Sequence, residues 1–168
     1  MKPFVAILMG SESDLPIMEK SAEILSSLGV TFEIKITSAH RTPQRTLDYV
    51  QDAQKRGCEV FICAAGLAAH LAGVVAAHTL KPVIGVPLDG GSLGGFDALL
   101  STAQMPGGIP VACVAIGKAG AQNAAYLSAQ ILAIKDPALL GRLQAQRLEN
   151  AHKIAKSDIA LQAKYELH

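Results

Sequence analysis

The sequence predicts an α/β fold built on a parallel sheet, and three observations carry that expectation. Short apolar runs alternate with segments of helical periodicity along the whole chain. The first run, "PFVAILM", is apolar without interruption, as in a strand covered on both faces. The second, "VTFEIKI", alternates strictly: Val30, Phe32, Ile34 and Ile36 face one way, and Thr31, Glu33 and Lys35 the other. That pattern marks a half-exposed strand near a sheet edge.

Local chemistry justifies each element in turn. After the first strand and the loop "GSESD", Leu15, Met18, Ala22, Leu25 and Leu28 recur at helical spacing, with Asp14 placed to N-cap and Gly29 to terminate. The alternating strand comes next. Pro43 then sits at a favourable first-turn position for a second helix, running through Leu47 and Val50 to Gly57. "EVFICAA" reads as a buried strand and "LAAHLAGVVAAHTL", residues 67–80, as a mostly buried helix. "PVIGVPL" is a fourth strand, closed by "DGGSLGG"; a short helix is expected over Asp97–Ala103, and "IPVACVAI" is the fifth strand. An Ala-rich helix follows "GKAG" and ends near Lys135, and Asp136-Pro137 opens a more polar helical tail. Crossovers between parallel strands are right-handed. With the second strand at an edge, the expected order is 2-1-3-4-5, that of a single flavodoxin-like, three-layer domain with a five-stranded parallel sheet. Residues 1–135 make up that α/β domain, and 136–168 a C-terminal helical extension expected to pack on a neighbouring subunit.

Composition narrows the function. Half of the 168 residues are hydrophobic, enough to build a core without disulfide or metal staples. A net charge of +1 supplies no basic field for nucleic acid, so no nucleic-acid partner is expected and any anionic ligand must be met by a local site. Cys58, Cys63 and Cys113 are odd in number, lie in or beside apolar runs and form no CxxC pair. They read as buried core thiols in a reducing, cytoplasmic compartment, and no metal site is expected. No signal peptide is expected either, because only about six apolar residues lie between Pro3 and Gly10. The apolar tract from Cys63 to Leu80 is broken by Gly66, His70, Gly73 and His78. A membrane span needs about 20 mostly apolar residues, so no membrane partner is expected.

In open α/β sheets, ligands bind beyond the carboxyl ends of the strands, near the topological switch point. Every unusual loop of this chain falls at such an end: "GSESD" after strand one, "SAHRTP" after two, "AAGLAAH" after three, "PLDGG" after four and "GKAG" after five. In the first, Ser11 and Ser13 offer hydroxyls beside free N–H groups at a helix start, a natural phosphate cradle, while the Asp14 carboxylate suits sugar hydroxyls. Arg41 brings bidentate donors for phosphate from the neighbouring strand end. His40 stands next to it, and imidazole gives and takes protons near neutrality. His70, at a Gly/Ala-rich loop-to-helix junction, is placed to touch the same ligand.

Structural readings compete with these. Ser13 and Asp14 serve equally as helix caps, and His70 as a hydrogen-bonded core histidine. His78 reads as a helix C-terminal charge or a buried hydrogen-bonding group; His152 and His168 have no comparable context. "AIGKAG" is not a Walker loop, which would need Gly at 112 and Ser or Thr at 119, where both residues are Ala, and no GxGxxG is present. A single phosphate, as in a ribonucleotide monophosphate, fits one arginine and two serines. A non-catalytic flavodoxin-like nucleotide-binding module stays open, although strand three ends in "CAAG" without the Asp of a receiver domain, and sparse aromatics disfavour flavin stacking.

"MGSESD", "SAHRTP", "AAHLAG" and "QMPGGIPVACVAIGKAGAQNAA", in this order between about residues 4 and 134, resemble the N5-carboxyaminoimidazole ribonucleotide mutase family, also named the catalytic subunit of phosphoribosylaminoimidazole carboxylase. The resemblance implies an isomerase of de novo purine synthesis that moves a carboxylate from the exocyclic amine of an imidazole ribonucleotide to ring carbon 4, with no cofactor. It also implies a homo-octamer and a pathway synthetase that supplies the carbamate. The family's GSxSD loop falls on Gly10, Ser11, Ser13 and Asp14, implying phosphate and ribose contacts from Ser11 and Asp14. SAHRTP falls on Ser38 to Pro43, implying His40 as acid/base and Arg41 as phosphate ligand, with Ser38 beside them. The GGAAHLPG pattern falls on Gly66 to Gly73, with His70 matching and expected as a second catalytic residue, and Gly66 and Ala68 in the loop over the substrate carboxylate. Leu67 there replaces a usual Gly and Ala72 a usual Pro. Direct carboxylases of the same family take free CO2 and tend to carry Lys in place of the arginine, so Arg41 favours the mutase. Gly-rich loops 66–73 and 89–95 are expected to close over the ligand and retain CO2.

Overall fold

The computed structural model describes residues 3–165. Five parallel strands, β1 (Phe4–Met9), β2 (Phe32–Ile36), β3 (Cys58–Gly66), β4 (Val83–Leu88) and β5 (Ala112–Cys113), form one sheet in the order β2-β1-β3-β4-β5. Period-two geometry divides β1 between two cores. Val5, Ile7 and Met9 join Ile62, Val86, Met18 and Leu25 on one side, whereas Phe4, Ala6 and Leu8 join Val50, Phe61, Leu71 and Val75 on the other. Each fully buried side chain of this size stabilises the fold by about 1.5–3 kcal/mol.

The first core lies under α1 (Leu15–Ser27) and α5 (Gly117–Ala133), the second under α2 (Pro43–Lys55) and α3 (Leu71–Ala76), with α4 (Phe96–Ala103) against β4 and β5. Alanine lets α5 lie close: Ala121, Ala124, Ala125 and Ala129 are wholly buried, and the Ser21 hydroxyl of α1 donates to the Ala121 carbonyl at 2.6 Å. Gly120 is the tightest approach, since a methyl group there would overlap the Ala115 carbonyl. Gly29 ends the first helical segment in the left-handed region, as its position implied.

Four expectations are corrected. Asp14 precedes α1, but its side chain caps nothing there; Ser11 caps a 3-10 turn over Glu12–Asp14, and Asp14 reaches back to it. The helix expected over 67–80 shrinks to Leu71–Ala76, because Leu67 has a φ of 55° and the His70 N–H donates to the Ala68 carbonyl in a turn. A run of Leu and Ala reads as helix by pattern whatever its backbone does. The fifth strand pairs only through Ala112 and Cys113: it is an edge, and Pro110 has no N–H to donate. Cys58 and Cys63 are buried, but Cys113 on that edge is partly open. Burial pushes the Cys58 thiol up to about 12.

β2 is an edge strand as expected, and Phe32 of its apolar face packs against the first core, but toward the strand's end that face is open, with Ile34 36% and Ile36 45% exposed. The final helix, α6 (Pro137–Tyr165), is anchored by buried Leu139 and by Arg142, whose Nε donates to the Leu28 carbonyl at 2.7 Å. Beyond Gln146 every described residue of it is exposed; the last three residues of the expected extension, His168 included, lie outside the described range. Among the described residues no helix is long and apolar enough to cross a membrane.

Candidate active site

The chain leaves β1 for β2 on one side and then crosses to β3 on the other, so the ends of these three strands bound a crevice at the switch point. Its volume is about 420 Å³, and Ser11, Ser13, Asp14, Ser38, His40, Arg41, Gly66, Ala68 and His70 all line it. The structure therefore gathers every site residue expected from sequence onto one surface.

Backbone chemistry fixes the first loop. The Ser11 N–H donates to Asp14 Oδ2 at 3.0 Å, and Ser11 Oγ accepts from the Ser13 N–H at 3.3 Å and from the Ser13 hydroxyl at 2.9 Å. Asp14 thus spends one oxygen on the loop and turns the other toward Ser13. Burial raises its carboxyl above the usual carboxylate range, only partly offset by the Ser11 N–H.

Three threonines, none of them expected as site residues, hold the second loop. Thr37 donates its N–H to the Met9 carbonyl at 2.8 Å, which ties the loop to β1, and its hydroxyl lies 2.7 Å from that of Thr46, both buried. The Thr42 hydroxyl accepts from the Ser38 N–H at 2.9 Å, and Ser38 Oγ accepts from the Arg41 N–H at 3.1 Å. Ser38, Thr42 and Thr46 follow one another at a spacing of four, the available signal for a hydroxyl ladder at a helix start. Held this way, His40 and Arg41 project into solvent at the crevice. Among the described residues the Arg41 guanidinium enters no ion pair.

His40 Nε2 lies 2.8 Å from His70 Nδ1, with the rings edge to face at 84°. One of the two nitrogens donates and the other accepts, so the pair holds a shared proton at the centre of the crevice. His70 stands just before α3, exposed, and is not a core histidine. His78 is exposed beyond the end of the same helix and takes no part. Leu67, Leu71, Ala39, Ala65, Gly10 and Gly90 complete the lining. The crevice is divided chemically: hydroxyls, a carboxylate and a guanidinium come from the loops after β1 and β2, small or apolar groups from those after β3 and β4, and the histidine pair sits at the seam. Among the described residues no group of three His, Cys, Asp or Glu stands together to hold a metal.

A family model described as AIR carboxylase matches residues 4–153. N5-carboxyaminoimidazole ribonucleotide mutase of Pyrococcus horikoshii is 51% identical over 153 residues, 91% of this chain and 85% of that one. The enzyme of the same name from Bacillus subtilis is 48% identical over 157 residues, covering 94% and 97%. The crystal structure of Treponema denticola PurE superposes with a TM-score of 0.85 at 30% identity, over 99% of this chain and all of that one.

Proposed function

The chain belongs to the AIR carboxylase family, and on that premise we propose that it is an N5-carboxyaminoimidazole ribonucleotide mutase of purine biosynthesis with His40 as its acid/base. The observation that carries this reading is the His40–His70 pair at the seam of the crevice, 2.8 Å apart, with Arg41 and the Ser11 loop beside it.

Arg41 and Ser11 grip the phosphate, and Asp14 takes the ribose hydroxyls. The imidazole base then lies against the histidines. The carbamate C–N bond breaks, its electron pair stays on the exocyclic nitrogen, and that nitrogen takes a proton from His40 as CO2 departs. Carbon 4 of the electron-rich aminoimidazole attacks the CO2, and His40 recovers a proton from carbon 4. The histidine ends in the protonation state in which it began. His70 holds the His40 ring through the shared proton, and Gly66 and Ala68 place backbone against the carboxylate. Positioning of two reactants in one crevice is worth up to ~7–11 kcal/mol of a barrier in well-oriented systems.

The enzyme acts in the cytoplasm as a homo-octamer, and a synthetase supplies its carbamate. What supports assembly is the exposure of Ile34 and Ile36 and of the run of α6 beyond Gln146, the surface this reading assigns to a neighbouring subunit. The discriminating experiment supplies either the carbamate substrate at low bicarbonate or aminoimidazole ribonucleotide with bicarbonate. The mutase forms 4-carboxy-5-aminoimidazole ribonucleotide efficiently from the first; efficient turnover of the second alone would make the protein a direct carboxylase.

A further inference from the structure

Leu67 is the single non-glycine residue with positive φ among the described residues, at 55°. A leucine is strained there, and it lines the crevice at the apolar end, 55% exposed. Its side chain is directed across the crevice mouth onto the loop after β4: a methyl group built on Gly91 would overlap Leu67 Cδ2. Beyond the last β3–β4 pair, Gly66 with Leu88, and the close approach of Gly66 to Gly90, Leu67 adds an aliphatic contact between the loop after β3 and the loop after β4, over the half of the crevice that Gly66, Ala68, Leu71 and Gly90 line. Among the described residues that line this half, the histidines at its border are the only polar side chains, and the Asp97 carboxylate stands behind Gly91, 3.7 Å from where a methyl group there would lie.

We propose that Leu67 is a positioning residue that latches these two loops together and retains CO2 between the breaking of the C–N bond and the making of the C–C bond. This inference rests on the mutase reading above. CO2 has no charge and no hydrogen to donate, so neither Arg41 nor the serines hold it. A wall does: in this chain, where Ala72 has replaced the family's usual Pro, Leu67 in place of the usual Gly closes the gap over Gly91.

The test follows the carbon. The enzyme is given substrate labelled with carbon-13 in the carbamate, in unlabelled bicarbonate, and the ratio of label in the carboxylated product to label released as CO2 is measured. The label that the carbamate loses without enzyme over the same time is subtracted, so that the ratio reports retention and not overall rate. Wild-type protein should pass nearly all label to product. Leu67→Gly, which suits the backbone at φ 55°, should lower the ratio several-fold. Gly91→Ala should do the same by displacing the Leu67 methyl, since its other neighbours, such as Asp97 Oδ2 at 3.7 Å, leave room. In the Leu67→Gly background, Gly91→Ala should add nothing, because the atom it displaces is gone. A wild-type ratio in Leu67→Gly, or a further several-fold loss in the double variant, overturns the latch while leaving the mutase reading intact. Wild-type protein that forms no carboxylated product overturns both.

Discussion

Replacing the two histidines separately, each by a residue that keeps its contact and one that does not, divides proton transfer from positioning. His40 meets its partner through Nε2, which the Gln amide imitates, and His70 through Nδ1, which the Asn amide imitates. His40→Gln therefore keeps the hydrogen bond but cannot cycle a proton near pH 7, and kcat should fall by roughly 10²–10⁴-fold. His70→Ala removes one hydrogen bond between exposed rings, worth about 0.5–1.5 kcal/mol, so kcat should fall only roughly two- to thirteen-fold. His70→Asn should restore part of that. The assay is steady-state conversion of the carbamate ribonucleotide to the 4-carboxy product, with ribonucleotide binding measured by calorimetry to show that the site is intact. Near-wild-type turnover in His40→Gln, with His70→Ala inactive, would refute the assignment and move the chemistry to the loop after β3.

Three further outcomes are expected. Arg41→Ala should raise KM by roughly 13- to 160-fold, the equivalent of about 1.5–3 kcal/mol for charge-assisted hydrogen bonds, and Arg41→Lys should recover only part, for want of bidentate geometry; unchanged KM in both would remove Arg41 from the phosphate. Because burial raises the Asp14 carboxyl, its charge opposes folding above the folded pKa and that opposition is relieved on acidification, so Asp14→Asn should hold or raise Tm at pH 7 while weakening ribonucleotide affinity; wild-type affinity would leave Asp14 a loop residue only. Hydrogen bonds from Arg56 hold Glu33 below the usual carboxylate range, so its contribution, about 0–1 kcal/mol for so exposed a pair, is present above the unfolded pKa and is lost as pH falls through the folded one. Thermal melts of Glu33→Gln should differ from wild type at pH 7 and converge with it toward pH 2; a constant difference would contradict the pairing.

The sheet order was legible because β2 alternates and the other long strands do not: one open face at an edge requires the alternation, and burial on both faces removes it. The candidate crevice was legible because strand ends at a switch point collect loops, and "GSESD", "SAHRTP" and "AAGLAAH" all supply residues that line it. Leu67 hid the start of α3, since periodicity reports side chains and its departure is in the backbone. Pro110 and the missing outer neighbour shortened β5, a limit set by pairing. Thr37 and Thr46 were missed because a buried hydroxyl pair between a strand end and a helix turn depends on the folded distance of 2.7 Å, and nine residues separate them in the chain. Asp14 stands at the N-cap position of α1 as expected, but its side chain bonds the Ser11 N–H across the 3-10 turn before that helix, a partner the spacing alone does not reveal.

A crystal structure with 4-carboxy-5-aminoimidazole ribonucleotide bound tests the assignment of roles most directly. The expected complex has the phosphate on Arg41 and the Ser11 loop, a ribose hydroxyl on Asp14, and carbon 4 about 3–3.5 Å from a nitrogen of His40. A product seated in the groove between α5 and α6 lined by Asn123, Tyr126 and Arg147, or seated in the crevice with its carbon 4 turned away from both histidines, would contradict it.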